Sequence, residues 1–271
     1  MQHLKRWLTA IILGPLVLWI LFKGNLILLA SLISAVSVFS VREYLRIIFG
    51  NDEGPISQTI KFISYGISIG LVIGATLGSM QIMFLTLVLD LVLMAIFVLS
   101  RFASCDNVFD IIARQVLGMV YIPSSLACLI FIRGFEQGTF WILWLLIVIF
   151  ANDTGAFYGG TFFGKRKLAP NISPNKTIEG SMGGILASTV LGMVFSMLFF
   201  HDFILSLVML PCSFILAIAG QVGDLFESAM KRASSIKDSG RILPGHGGML
   251  DRIDGLLLAI PILYTYLVFT L

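Results

Sequence analysis

Apolar runs long enough to cross a bilayer succeed one another along this chain, separated by short stretches rich in charge, Gly, Pro and Asn. A hydrocarbon core takes roughly 20 apolar residues per helix and tolerates no unpaired backbone polar group, so each run reads as one transmembrane α-helix. Nine runs are counted, near residues 7–22, 25–48, 58–79, 81–100, 110–132, 139–158, 181–200, 203–230 and 253–271. The fold class that follows is an all-α polytopic membrane protein. The first run follows Lys5 and Arg6 as a signal peptide would, but it is long and lacks a small-residue cleavage site, which makes it a retained span.

The basic residues orient the spans. With the N-terminus in the cytoplasm, all of the 18 Lys and Arg residues except Lys23 and Arg133 fall in cytoplasmic segments, as positively charged loops do. An odd number of spans then puts the two ends of the chain on opposite sides of the membrane. Composition agrees: 58% of residues are hydrophobic, 12% are charged and 22 are Phe, which excludes a soluble domain. Cys105, Cys128 and Cys212 lack CxxC spacing, so neither a disulfide framework nor a zinc site is expected and they read as small apolar fillers.

Polar chemistry is unevenly spread. The external loops are short, whereas two internal segments, about 159–180 and 231–252, are rich in Lys, Arg, Gly, Pro, Asn and Ser. This suggests an N-terminal scaffold over 1–135 and a C-terminal part over 136–271 with a cytoplasm-facing catalytic cavity, the two forming one membrane unit. Gly70, Gly74 and Gly78 have the spacing of close helix packing without naming a partner. Asp90, alone among acids deep in the N-terminal spans, reads as structural, paired with Arg114 or a polar neighbour or placed at a dimer contact.

Three clusters carry candidate chemistry. On the eighth span Asp224, Ser228 and Lys231 fall at i, i+4 and i+7, on one helix face. Carboxylates there are costly and mark a site, unless Asp224 or Glu227 simply pairs with Lys231. The second cluster, Leu243-Pro-Gly-His246-Gly-Gly-Met-Leu-Asp251-Arg252-Ile-Asp254, has glycines that let backbone approach a ligand closely. Its Asp251 and Asp254, at i and i+3, can face one ion, or can merely complement the dipole of the last helix. Hard oxygen ligands of this kind suit magnesium, which takes one or two carboxylates together with substrate phosphates. Lys231, Arg232, Lys237, Arg241, Arg252 and His246 surround these acids, as a metal-bridged polyphosphate would require.

The third cluster joins Asn152-Asp153-Thr154-Gly155 to Ser173-Pro-Asn-Lys176-Thr177-Ile-Glu179-Gly180-Ser181. Thr177 or Ser181 can cap the seventh span while Lys176 reaches phosphate. Lys165, Arg166 and Lys167 read as an anchor on anionic headgroups. No G-K-x-[ST] pattern occurs, so this is no Walker nucleotide site.

Ser228-x-Met230-Lys231-Arg232, then Lys237-Asp238-x-Gly240, then Leu243-Pro244-x-His246-Gly247-Gly248-Met249-x-Asp251-Arg252-Ile253-Asp254 together resemble the signature of bacterial phosphatidate cytidylyltransferases, the CDP-diacylglycerol synthases. The segments around Asn152-Asp153 and Lys176 resemble the same family, with Asn175 standing where a basic residue is expected. The resemblance implies magnesium-dependent transfer of CMP from CTP to phosphatidic acid within phospholipid biosynthesis, at a bacterial inner membrane with the C-terminus periplasmic. It assigns Asp224 and Asp251 as metal ligands with Asp254 in the same shell, and Lys231 to neutralise charge at the reacting phosphates. Arg232, Lys237 and His246 would hold CTP or pyrophosphate, while Lys176, Asn152, Asp153 and Ser228 complete the substrate-binding wall. The number of metal ions and any part for potassium stay open; a homodimer is preferred on resemblance, membrane lipids are the expected partners, and nucleic acid is not. A secondary transporter with a cytoplasm-facing polar cavity is the rival reading.

Overall fold

In the computed structural model, the described residues are 2–50, 55–102, 108–201, 203–240, 242 and 247–270, with side chains described from residue 11 in the first helix, 57 in the third and 204 in the ninth. The helices are α1 Gln2–Lys23, α2 Leu26–Phe49, α3 Pro55–Thr76, α4 Met80–Ser100, α5 Val108–Met119, α6 Ser125–Gly134, α7 Gly138–Phe163, α8 Ile178–Phe199, α9 Phe203–Ala233 and α10 Leu250–Thr270. Among the described residues eight segments are helical, long and apolar enough to cross a membrane, α5 and α6 forming one of them, and the described part of α1, Ile11–Lys23, is a shorter apolar helix. The polytopic α-helical fold read from hydropathy is therefore the fold observed, with span edges displaced by a few residues.

The displacements have local causes. Asn25, Ser79 and Thr177 are N-caps whose side chains accept from Leu28 N at 2.9 Å, Ile82 N at 3.2 Å and Gly180 N at 3.1 Å. Such caps satisfy backbone donors that hydropathy does not register. Between α5 and α6 the chain widens into a π-helical turn, Val120–Ser124, around Pro123. Proline lacks the N–H and crowds the preceding carbonyl, and a wider turn relieves both. One element is not helical: β1 Lys167–Ala169 and β2 Ser173–Thr177 form an antiparallel hairpin with Lys167 opposite Thr177.

The chain groups into two compact units, Met1–Phe131 with Ser234–Arg252, and Ile132–Ala233 with Ile253–Leu271. In the first, α2, α3, α4 and α5 pack around Val41, Tyr44, Leu71, Met94 and Met119, all buried. The small-residue stripe on α3 meets α4: a Cβ on Gly74 would lie 3.2 Å from Met83 N, and one on Gly70 3.1 Å from Thr86 Cγ2. Asp90, fully buried, accepts from Gln115 Nε2 at 2.9 Å, and the same amide donates to Ser64 Oγ at 3.1 Å. Arg114 is engaged elsewhere, with Asp110 at 2.8 Å and the Ile48 carbonyl at 3.2 Å, so the polar neighbour and not the arginine is the partner of Asp90.

Removing one side of a buried polar pair strands the other. Asp90→Ala is expected to lower stability by about 1–3 kcal/mol, and Asp90→Asn by less because its carbonyl still accepts from Gln115. Thermal unfolding of detergent-purified protein measures this; equal midpoints for wild type and Asp90→Ala would remove Asp90 from the account of stability.

In the second unit α7 and α8 run against each other at backbone contact, and α9 packs on both. Glycines make this approach: a Cβ on Gly184 would lie 2.5 Å from Asn152 Oδ1 and 2.7 Å from its carbonyl oxygen, and one on Gly155 2.7 Å from the Gly183 carbonyl. Large apolar side chains such as Phe84, Leu186 and Phe269 stand exposed on the two units. Water would penalise that surface and lipid accepts it.

Candidate active site

The second unit contains a cavity of about 540 Å³ lined by α7, the hairpin, the start of α8 and the α9 residues Gln221 and Asp224. Its polar wall carries Asp153, Lys176, Ser181, Gln221 and Asp224, and its apolar wall Ala156, Phe157 and Leu168. Lys176 is the penultimate residue of β2, so the hairpin, with Thr177 capping α8, determines where the ammonium stands. The hairpin is tied down by Glu179, whose Oε2 accepts from the backbone N–H of Lys165 at 3.0 Å and of Arg166 at 3.1 Å, while Oε1 pairs with Arg166 Nε at 3.2 Å. Thr177, not Ser181, is thus the cap, and the backbone of the basic triplet serves the hairpin.

At the centre the Lys176 ammonium forms an ion pair with Asp224 Oδ2. Ser228 Oγ donates to Asp224 Oδ1 at 3.4 Å, so the i, i+4 face of α9 is realised. Lys231 pairs with Glu227 one turn back, and Glu227 is fully buried. Three carboxylates interact electrostatically here: Asp153 with Asp224 and the Lys176 ammonium, and Asp254 with Asp224, Asp153 and the Lys231 ammonium. Asp254 Oδ1 also accepts from Gly255 N at 2.9 Å.

A second layer of hydrogen bonds holds the polar wall. Asn152 is buried and donates from Nδ2 to the Ala217 carbonyl at 3.2 Å, while its Oδ1 accepts from Gln221 Nε2 at 2.8 Å. Gln221 Nε2 also donates to the Ser181 carbonyl at 3.0 Å, and its Oε1 accepts from Ser181 Oγ. Sequence reasoning did not single out Gln221. Its position at i−3 from Asp224, on the same helix face, is the signal that would have found it.

The remaining predicted residues are distributed as follows. Arg232 is exposed on α9 and donates to the Ile172 carbonyl at 3.3 Å. Lys237 is exposed in the segment that belongs to the first unit. Asp251 accepts from Ser239 N at 3.2 Å and from Gly248 N at 2.9 Å, also within that unit. His246 and Arg241 lie outside the described residues. Among the described residues no three His, Cys, Asp or Glu side chains stand together as a metal cage.

Helices fit to cross a membrane, enclosing a chamber walled by acids and a paired lysine, define a polytopic membrane protein with an internal polar site. The profile of the cytidylyltransferase family matches residues 4–270, and the chain belongs to that family. It is therefore a nucleotidyltransferase. It is similar to proteins named phosphatidate cytidylyltransferase: one from Staphylococcus aureus (strain COL), 35% identical over 276 residues with 97% of this chain and 98% of the relative covered. Another, from Staphylococcus saprophyticus, is 37% identical over 278 residues with 97% and 98% covered. A third, from Bacillus subtilis (strain 168), is 44% identical over 157 residues, 58% of each chain. Membership of this family disfavours the transporter reading.

Proposed function

We propose that the chain joins CTP to phosphatidic acid, forming CDP-diacylglycerol and pyrophosphate. A phosphate oxygen of phosphatidate attacks the α-phosphorus of CTP, and the bond from that phosphorus to the oxygen bridging to the β-phosphate breaks as pyrophosphate departs. Phosphatidate is already anionic near neutral pH, so a strong general base is not needed. The difficulty is to bring two repelling phosphates together and to stabilise the departing charge.

The observation that carries this reading is the Lys176–Asp224 pair on the wall of a cavity whose other wall is apolar. The ammonium offers a positive donor to phosphate, and the apolar wall with Phe157 suits the glycerol and acyl part of a lipid. Lys231, within electrostatic reach of Asp254, adds a second positive charge.

The donor set also fits a magnesium ion. Asp153, Asp224 and Asp254 repel one another, and a cation beside them would relieve that repulsion. Asp224 and Asp254 are the proposed ligands, and the resemblance to the family adds Asp251. Magnesium commonly takes one or two carboxylates and completes its coordination with phosphate oxygens and water. When bound, the ion supplies neutralisation of phosphate charge. Arg232, Lys237 and His246 are proposed to hold the polyphosphate, and Asn152, Asp153 and Ser228 to position the groups around it. The bias of Lys and Arg supports a bacterial inner-membrane protein with this site open to the cytoplasm.

Detergent-purified protein incubated with phosphatidic acid, magnesium and each nucleoside triphosphate in turn is expected to release pyrophosphate and form lipid-linked nucleotide with CTP. Equal turnover of all four triphosphates, or turnover with diacylglycerol but not phosphatidate, would overturn the substrate assignment.

A further inference from the structure

Glu43 lies on α2, far in sequence from every residue of the site, yet it is buried at 3% exposure. A buried carboxylate costs several kcal/mol unless its lone pairs are met. Its Oε2 accepts from Ser239 Oγ at 3.0 Å and from Leu250 N at 2.8 Å. The two donors are eleven positions apart in sequence, so one carboxylate oxygen ties Ser239 to the start of α10.

The backbone here is shaped to admit this side chain. A Cβ on Gly248 would fall 2.5 Å from Glu43 Oε2, and one on Gly240 would collide with Glu43 Oε1. Both glycines belong to the signature segment, and their missing side chains make room for Glu43. Asp251 also holds Ser239, accepting from its N at 3.2 Å and from Gly248 N at 2.9 Å. Glu43 and Asp251 therefore share Ser239, one through its hydroxyl and the other through its backbone N–H. All of these contacts lie in the first unit.

We infer that Glu43 is a positioning residue for the transfer reaction: it ties Ser239 to Leu250, so that Asp251 is presented in working orientation at the start of α10. This rests on the reading of Asp251 as part of the phosphate and metal site. Gly240 and Gly248 are then small because Glu43 must lie against them. Both donors point at a single oxygen, which an amide carbonyl can also supply, so removing the side chain, as in Glu43→Ala, breaks the tie while Glu43→Gln keeps it.

The test compares wild type, Glu43→Ala, Glu43→Gln and Gly248→Ala as purified proteins in detergent, with CTP and phosphatidate, alongside amide hydrogen exchange of the peptide spanning 236–252. Displacement of a reacting group by about 1 Å can cost on the order of 100-fold, so kcat per folded molecule is expected to fall about 100-fold in Glu43→Ala while KM for phosphatidate stays within about threefold, and Glu43→Gln is expected to recover most of the loss. Loss of the tie is expected to speed exchange at Leu250 by about tenfold. Gly248→Ala should reproduce both effects, and its combination with Glu43→Ala should fall less than the product of the singles. Wild-type kcat per folded molecule in Glu43→Ala, or unchanged exchange at Leu250 in that variant, would overturn the inference. So would a loss of activity that merely follows the folded fraction. A wild type that forms no CDP-diacylglycerol would instead overturn the reading of the site, and the exchange measurement would still decide whether Glu43 ties Ser239 to Leu250.

Discussion

Asp224→Asn is expected to reduce CTP-dependent formation of CDP-diacylglycerol by at least about 1,000-fold, the scale on which loss of a centre that stabilises reacting charge is felt. The substitution keeps shape, and its carbonyl oxygen can still accept from Ser228 Oγ, so the unfolding midpoint should move little. What disappears is the negative charge that pairs with Lys176 and that, in the proposed mechanism, ligates magnesium. Asp224→Ala should be equally inactive. The check is product formation by purified protein together with its thermal midpoint; a variant retaining more than about a tenth of wild-type turnover would remove Asp224 from the metal set.

Lys176→Met comes next in size. Methionine keeps much of the aliphatic stem and deletes the ammonium, leaving Asp224 without its partner and the cavity wall without its positive donor. A fall of about 100-fold or more in kcat/KM for CTP is expected, with Lys176→Arg recovering only part of it, since a planar guanidinium does not replace a compact ammonium. Steady-state kinetics at varied CTP decide the matter. Wild-type constants in Lys176→Met would mean that the ion pair is structural.

The spans were legible because bilayer thickness sets the length of an apolar run, and each interruption needs residues of a different kind. The hairpin was not. Lys167–Ala169 and Ser173–Thr177 carry none of the alternation that marks a strand, and they pair because Glu179 and the Thr177 cap close the turn around them. The acids and lysines of the site were legible as types in suggestive spacing, but their partners were not. Lys231 lies at i+7 from Asp224 and at i+4 from Glu227, and the nearer spacing on the helix surface wins. Asp224 then takes Lys176, a residue on another element.

Hydropathy and local charge by themselves determined that this is a membrane bundle, where its helices run and which segments hold polar chemistry, because those properties depend on consecutive residues and on the solvent around them. Tertiary structure alone decided that a short hairpin delivers Lys176 to Asp224, that Gln221 and Asn152 brace one wall, and that Glu43 of α2 ties Ser239 to the start of α10. Each of those is a contact between residues tens to hundreds of positions apart. Such a contact forms because packing brings two polar groups together where burial or half-burial leaves them fewer water partners.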